Sequence, residues 1–263
     1  MRYFIISIFV LFISCNTSKD KKEIQSVEKT ILNEVETQNI FVVKTIIYAK
    51  DSLPITADIY EINNKRPTVL LCHQAGYSRG EYKDTVLKLM KLGFSCVAID
   101  QRSGKEVNGI INETSFKAKQ RNLSTNYIDA KQDIESAIDY MYNLNGHQPI
   151  ILVGSSYSAT LAMLIGDKSD KVKAIAAFSP GEYYKTIDVK NAIKDILKPT
   201  FVTSSKKEIP ALIELVSLIN SDFVTHFKPI VEGVHGSKAL WESTSGNEAY
   251  WQAFSSFLLN SEF

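Results

Sequence analysis

The sequence predicts an α/β fold: a mostly parallel sheet of about eight strands with an N-terminal antiparallel hairpin and helices on both faces. Three observations carry that expectation. Short, almost wholly apolar runs at residues 67–73, 94–100, 150–155 and 172–178 read as strands buried on both sides. Between them lie segments whose apolar residues recur at helical spacing. The run at 150–153 also passes through a turn of small residues directly into a helix-forming segment.

The 263 residues fit one large domain with a sizeable core. A net charge of +1, with Lys and Arg spread along the chain, argues against a nucleic-acid surface. No phosphate-binding glycine loop, zinc cysteine cluster or calcium loop is present in the sequence, so neither a metal nor an organic cofactor is expected.

Residues 1–15 differ from the rest. Arg2 precedes an apolar run at 3–13, broken only by Ser7. A bilayer span takes ~20 apolar residues, so the run reads as an export signal. Leu11-Phe12-Ile13-Ser14-Cys15 resembles a bacterial lipobox, which implies lipidation of Cys15 and membrane anchoring in the cell envelope. Phe12 departs from the usual small aliphatic residue, and the other reading is an ordinary cleaved signal. Residues 16–40 are polar and read as a tether, leaving 41–263 as a single folded domain. Cys72 and Cys96 sit in strand-like runs and are expected as buried free thiols; pairing in an exported protein is the alternative.

Residues 41–49 and 54–62 read as the hairpin, turning at 50–53. After the strand at 67–73, Ser78 and Glu81 have capping-box spacing. Tyr82, Val86, Leu89 and Met90 then form one helical face, which Gly93 ends. With the strand at 94–100 this makes a right-handed βαβ unit. Residues 101–123 show no clear period and read as a long, pocket-bordering connection. Tyr127, Ala130, Ile134, Ala137, Ile138 and Met141 mark the next helix. The helix after the strand at 150–155 is expected to close at Gly166. Beyond the strand at 172–178, residues 182–197 are mixed, and 200–203 are a short strand. Pro210 opens a helix through 219, residues 223–231 are the last strand, and Ser245 and Glu248 cap a final helix with Tyr250, Phe254, Phe257 and Leu258 on its face.

The turn is Gly154-Ser155-Ser156-Tyr157-Ser158. A strand, a sharp turn with serine at its apex and a helix resemble the nucleophile elbow of α/β-hydrolases, whose catalytic groups follow in the order Ser, acid, His. Ser156 is the candidate nucleophile. A serine hydroxyl needs a base, and the base an orienting carboxylate. Of the four histidines, His147 precedes the elbow strand, His226 lies inside a strand pattern, and His73 is upstream of the serine. His235 follows the last strand at the correct edge and is the candidate base. The loop after the strand at 200–203 offers Glu208 as the acid, with Glu182 as its rival. An oxyanion needs two fixed N–H donors, which Tyr157 and the loop at Ala75 supply.

Together these residues resemble the small-cap, dienelactone-hydrolase and esterase type of α/β-hydrolase over residues 41–263. The motifs are the elbow, His73-Gln74-Ala75-Gly76, Asp100-Gln101-Arg102, Glu208 and His235-Gly236. Ser158 replaces the usual second glycine of the elbow and implies some strain. Glu208 stands where the family usually has aspartate. In the family the Asp100–Arg102 segment shapes the pocket loop, so Arg102 reads as structural or as a substrate-facing charge. The resemblance implies a serine hydrolase acting on a small acyl substrate. Two rival readings are a serine peptidase of the same fold and a non-catalytic envelope lipoprotein on a hydrolase scaffold. Tyr77, Tyr157, Tyr183 and Tyr184 are candidate pocket residues; all four read equally as ordinary half-buried tyrosines, and for Tyr183 and Tyr184 that is the favoured reading.

Overall fold

Alternation along each strand decides what the sheet buries. In the computed structural model, which describes residues 41–61 and 67–260, β3 (Val69–Cys72) and β4 (Cys96–Ile99) are buried at every position. Leu70, Cys72, Val97 and Ile99 point into one core; Val69, Leu71, Cys96 and Ala98 point into the other. The sequence segments at 1–15 and 16–40, including Cys15, lie outside the described residues. Cys72 and Cys96 are buried and free.

The remaining strands are β1 (Phe41–Tyr48), β2 (Pro54–Glu61), β5 (Ile150–Ser155), β6 (Val172–Phe178), β7 (Thr200–Thr203) and β8 (Val224–Phe227). The sheet order is β1-β2-β4-β3-β5-β6-β7-β8. β1 and β2 form the expected hairpin, with Tyr48 opposite Pro54 and Phe41 opposite Glu61. β2 runs antiparallel to β4, and every pairing from β4 onward is parallel. Parallel strands end at one edge, so the loops after β3, β5, β6 and β7 gather there.

Helices cover both faces. On one lie α3 (Lys131–Leu144), through Ile134, Ala137, Ile138 and Met141, and α4 (Tyr157–Lys168). On the other lie α1 (Thr85–Lys91), through Val86, Leu89 and Met90, and the C-terminal helix at Asn247–Asn260, through Tyr250, Phe254, Phe257 and Leu258. Each fully buried Leu, Ile or Phe contributes about 1.5–3 kcal/mol over its exposed state.

Five expectations need correction. The helix expected over 210–219 runs only over Ile209–Leu215, with Val216 as its cap. α4 does not close at Gly166. A Cβ there would meet Ile175 Cδ1 at 2.7 Å, so this glycine serves close helix–sheet packing and the helix continues to Lys168. The connection 101–123 contains a two-stranded ribbon, Glu106–Val107 with Ile110–Ile111, and the helix α2 (Glu113–Gln120), capped by Asn112 through the Ser115 N–H. The last strand is shorter than 223–231: the ladder stops at Phe227, just before Pro229, which has no N–H to donate. Ser78 and Glu81 do not form a capping box. The Ser78 hydroxyl accepts from the Gly80 N–H, and the Glu81 carboxylate turns inward.

Candidate active site

A residue that joins a strand to a helix without a loop must bend sharply. Ser156 does so with φ 59° and ψ −123°, a sparsely populated conformation for a residue with a side chain. Its N–H stays in the sheet, donating to Phe178 O at 2.8 Å. Gly154 is required two residues earlier, since a Cβ there would meet Ser158 O at 2.3 Å. Ser158 shows no sign of the expected strain. Its hydroxyl lies 2.7 Å from Cys72 O, 2.9 Å from Ser155 O and 2.9 Å from the Ser155 N–H, which donates to it. The hydroxyl thus pins the elbow to β3, a role a glycine cannot fill.

The turn presents the Ser156 hydroxyl to His235. Ser156 Oγ is 2.7 Å from His235 Nε2, and His235 Nδ1 is 2.5 Å from Glu208 Oε1. With Nδ1–H donating to the carboxylate, Nε2 is the lone-pair nitrogen facing the hydroxyl. Glu208 is held by its own neighbourhood. It closes a capping box with Ser205 at a 3-10 turn (Lys206–Glu208) that leads into the helix Ile209–Leu215. Its second oxygen accepts from the Ser205 N–H at 3.0 Å, the Ser205 hydroxyl at 2.7 Å and the Ser179 hydroxyl at 3.0 Å. Burial alone would raise this carboxyl; the hydrogen bonds from His235 and Ser205 override it and hold it at about 2. Glu182 is not brought to the site. Its two oxygens accept from the Val189 and Lys190 N–H groups and cap the short helix Val189–Ala192.

The N–H groups of Tyr157, in the elbow, and of Ala75, in the loop after β3, have no hydrogen-bond partner among the described residues. Tyr157 is the first residue of α4, where no intrahelical acceptor exists. Ala75 is oriented through its neighbour. His73, fully buried, has Nδ1 2.8 Å from Gln74 O and accepts from the Gln101 N–H at Nε2 at 3.0 Å. Burial lowers its pKa to about 4, so it is neutral and donates from Nδ1. Fixing the Gln74 carbonyl toward His73 turns the Ala75 N–H of the same trans peptide the other way. The Gln74 N–H is already spent on Glu81 Oε2 at 2.7 Å. Ser156, His235 and Glu208 thus stand in series, an arrangement that can serve as nucleophile, base and acid, with the Tyr157 N–H at a helix start and the Ala75 N–H in a loop free to receive an oxyanion.

A family profile described as serine aminopeptidase, S33, matches residues 63–232, well over half of the chain. The chain belongs to this family. It is an α/β-hydrolase, esterase-like in its fold. The structure is similar to the esterase Pf2001 of Pyrococcus furiosus, with TM-score 0.67 and 15% identity over 87% of this chain and 94% of that one. It is similar to a dienelactone hydrolase from Anabaena variabilis, with TM-score 0.65 and 14% identity over 85% and 99% of the two chains. The esterase domain of a Rhodothermus marinus protein aligns with TM-score 0.56 and 11% identity over 84% and 96%. No curated protein matches the sequence.

In this hydrolase a cleft of about 610 Å³ opens beside the elbow, lined by residues 125–128 and 183–186. Tyr183 lines it, its hydroxyl donating to Ser179 O at 2.9 Å; burial pushes its phenol up. Tyr184 also lines the cleft, its hydroxyl donating to Tyr157 O at 2.8 Å. Tyr127, stacked on the buried Tyr157 ring at 4.6 Å, was not foreseen from sequence. Tyr77 stacks on Trp241 instead and does not line the cleft.

Arg102 is structural. Its guanidinium is 2% exposed and divided between Asp133 and Asp51, so it offers a substrate nothing. Asp100 is likewise engaged, by the Arg79 guanidinium and the Arg79 and Glu113 N–H groups. His226 lies in β8 and His147 in a turn after α3; neither reaches the site.

Proposed function

We propose that this chain is a serine hydrolase of carboxylic esters that works through an acyl-enzyme. The observation that carries the reading is the unbroken series Ser156 Oγ–His235–Glu208, at 2.7 and 2.5 Å. In this reading His235 Nε2 takes the serine proton as Oγ attacks the ester carbonyl, and Glu208 steadies the imidazolium that forms. The Tyr157 and Ala75 N–H groups receive the oxyanion. The imidazolium then protonates the leaving alcohol, and a water activated by the same nitrogen frees the acid. Neither step calls on a metal or organic cofactor.

The cleft argues for the ester over the N-terminus of a peptide. An aminopeptidase must hold a substrate ammonium, which calls for a carboxylate. The one ionic side chain among the cleft's lining residues is Lys185, a cation. The tyrosine rings and Ile128 suit an apolar or ring-bearing group, with Lys185 at hand for an anionic substituent. Aryl and alkyl p-nitrophenyl esters assayed beside aminoacyl p-nitroanilides separate the two; faster turnover of the anilides overturns the ester reading. Ser156→Ala should lower ester turnover at least ~10³-fold with an unchanged melting temperature, and abolish labelling by a fluorophosphonate. A wild-type chain that resists that label would be a non-catalytic scaffold.

We further propose, from the sequence alone, that residues 1–15 direct export and that Cys15 carries the lipid anchor to the cell envelope. Palmitate incorporation and membrane partition test this; a Cys15→Ser chain that stays in the membrane fraction overturns it.

A further inference from the structure

Glu81 is a second carboxylate at the same edge, and the triad makes no use of it. It lies on the 3-10 turn Arg79–Tyr82 after β3 and is 1% exposed. Three segments far apart in sequence converge on its two oxygens. Oε2 accepts from the Gln74 N–H at 2.7 Å, one residue before Ala75. Oε1 accepts from the Ser155 hydroxyl at 2.8 Å, one residue before the nucleophile. Oε1 also accepts from the Ser237 hydroxyl at 2.5 Å, two residues after His235. The web closes on itself, for the Ser237 N–H donates to Ser155 Oγ at 2.8 Å. Gly236 is confined within it: a Cβ there would meet both Gln74 Oε1 and Ser155 Oγ at 2.6 Å. The backbone carbonyl of Glu81 adds a fourth tie, accepting from the Trp241 indole at 2.8 Å.

No cation pairs with this carboxylate among the described residues. The ionisable groups facing it are His235 from the loop after β8, and the Tyr77 and Tyr82 hydroxyls from its own segment. A merely structural site of this kind is cheaper to fill with apolar side chains, because burying a charge costs several kcal/mol. The partners here are the loops that carry the oxyanion donor, the nucleophile and the base. The ionised carboxylate accepts all three contacts; a proton on Oε1 makes it a donor and reverses its contact with one of the serine hydroxyls.

We propose that Glu81, in its ionised form, is a positioning residue that fixes the Ala75 N–H, Ser156 and His235 relative to one another. The inference rests on the serine-hydrolase reading for its effect on rate, and on hydrogen bonding alone for its effect on geometry. Burial pushes the Glu81 carboxyl up to about 7, against the pull of its three hydrogen bonds and of His235. Glu81 must then lose its proton before the site is competent.

The test compares wild type with Glu81→Gln, whose amide accepts from the Gln74 N–H only by turning its NH2 to the Ser155 and Ser237 hydroxyls, which reverses both contacts. Glu81→Gln should lower kcat about tenfold to a hundredfold, with KM within about twofold. The acid limb of log kcat/KM against pH should be shallower by one proton in Glu81→Gln than in wild type. Ser237→Ala, which keeps the carboxylate, should lose only a few-fold in kcat and keep the wild-type limb; it serves also if Glu81→Gln fails to fold. Equal kcat and equal slope in Glu81→Gln overturn the proposal, as does a Ser237→Ala limb as shallow as that of Glu81→Gln. The ¹⁵N titration of the His235 imidazole decides the matter without turnover. The wild-type curve should carry an inflection that Glu81→Gln lacks; curves of the same shape in both reject the proposal. A chain inert to esters but with that inflection would thus sink the hydrolase reading and leave the positioning role standing.

Discussion

Glu208 and Glu81 reach the elbow from opposite flanks, one from the β7 side and one from the β3 side, and the two carboxyls settle at about 2 and about 7. Both accept several hydrogen bonds, so hydrogen bonding alone does not separate them. Solvent and charge do. The Glu208 side chain is 28% exposed and its Oε1 lies 2.5 Å from the His235 imidazole. Glu81 is sealed among hydroxyls and one amide. Identical side chains thereby take different duties: one stays charged across the whole useful pH range, the other changes state near neutrality.

The largest break in this comparison comes from the Glu208 side. Glu208→Gln leaves the imidazole without an acceptor that fixes its tautomer, and kcat should fall roughly 10³- to 10⁴-fold with little change in KM. Steady-state kinetics with one ester decides it, and a loss under tenfold would show the acid to be dispensable. A smaller effect is expected from Gly236→Ala, which pushes a methyl into the Glu81 web at a residue with φ 75°. It should lower stability by about 1–3 kcal/mol and cut kcat by a smaller factor than Glu208→Gln; denaturant melts beside rates give both.

The smallest effect is on stability against pH, and its sign follows from the two shifts. Glu208 is depressed in the fold, so its contribution is present above its ordinary value of 4.5 and is lost as pH falls toward about 2. Glu81 is raised, so its contribution is present below 4.5 and is lost as pH rises through about 7. Activity therefore favours the ionised Glu81 that stability disfavours. The melting-temperature difference between wild type and Glu81→Gln should move by a few degrees between pH 5 and pH 8, with wild type gaining on the acid side. A constant difference would show that Glu81 keeps one charge state throughout.

The same pair shows what a sequence reveals and what it hides. The elbow is legible because its chemistry is local: a strand run, Gly154 and a serine at the apex determine the bend within a few residues. Glu208 and His235 are legible because parallel strands place every following loop at one edge. The sequence favours Glu208 over Glu182 by its loop alone, for each follows a strand; in the fold it is Glu208 whose side chain meets His235, while Glu182 caps a short helix. Glu81 was misread because Ser78 and Glu81 match a common local pattern. Its real partners at Ser155 and Ser237 are 74 and 156 residues away. The helix α2 went unseen because its buried face is Thr114, Ser115 and Ala118, which leaves no apolar stripe to read. Tyr127 escaped notice as a cleft residue because a tyrosine on a helical face looks like core until the ring it stacks on is known.

The left-handed backbone at position 156 has a consequence for anyone wishing to toughen this molecule. Glycine alone is at ease in such a conformation, so a Ser156→Gly chain, though inert, should outlast the native one on heating. Screens that reward survival alone would select against the nucleophile.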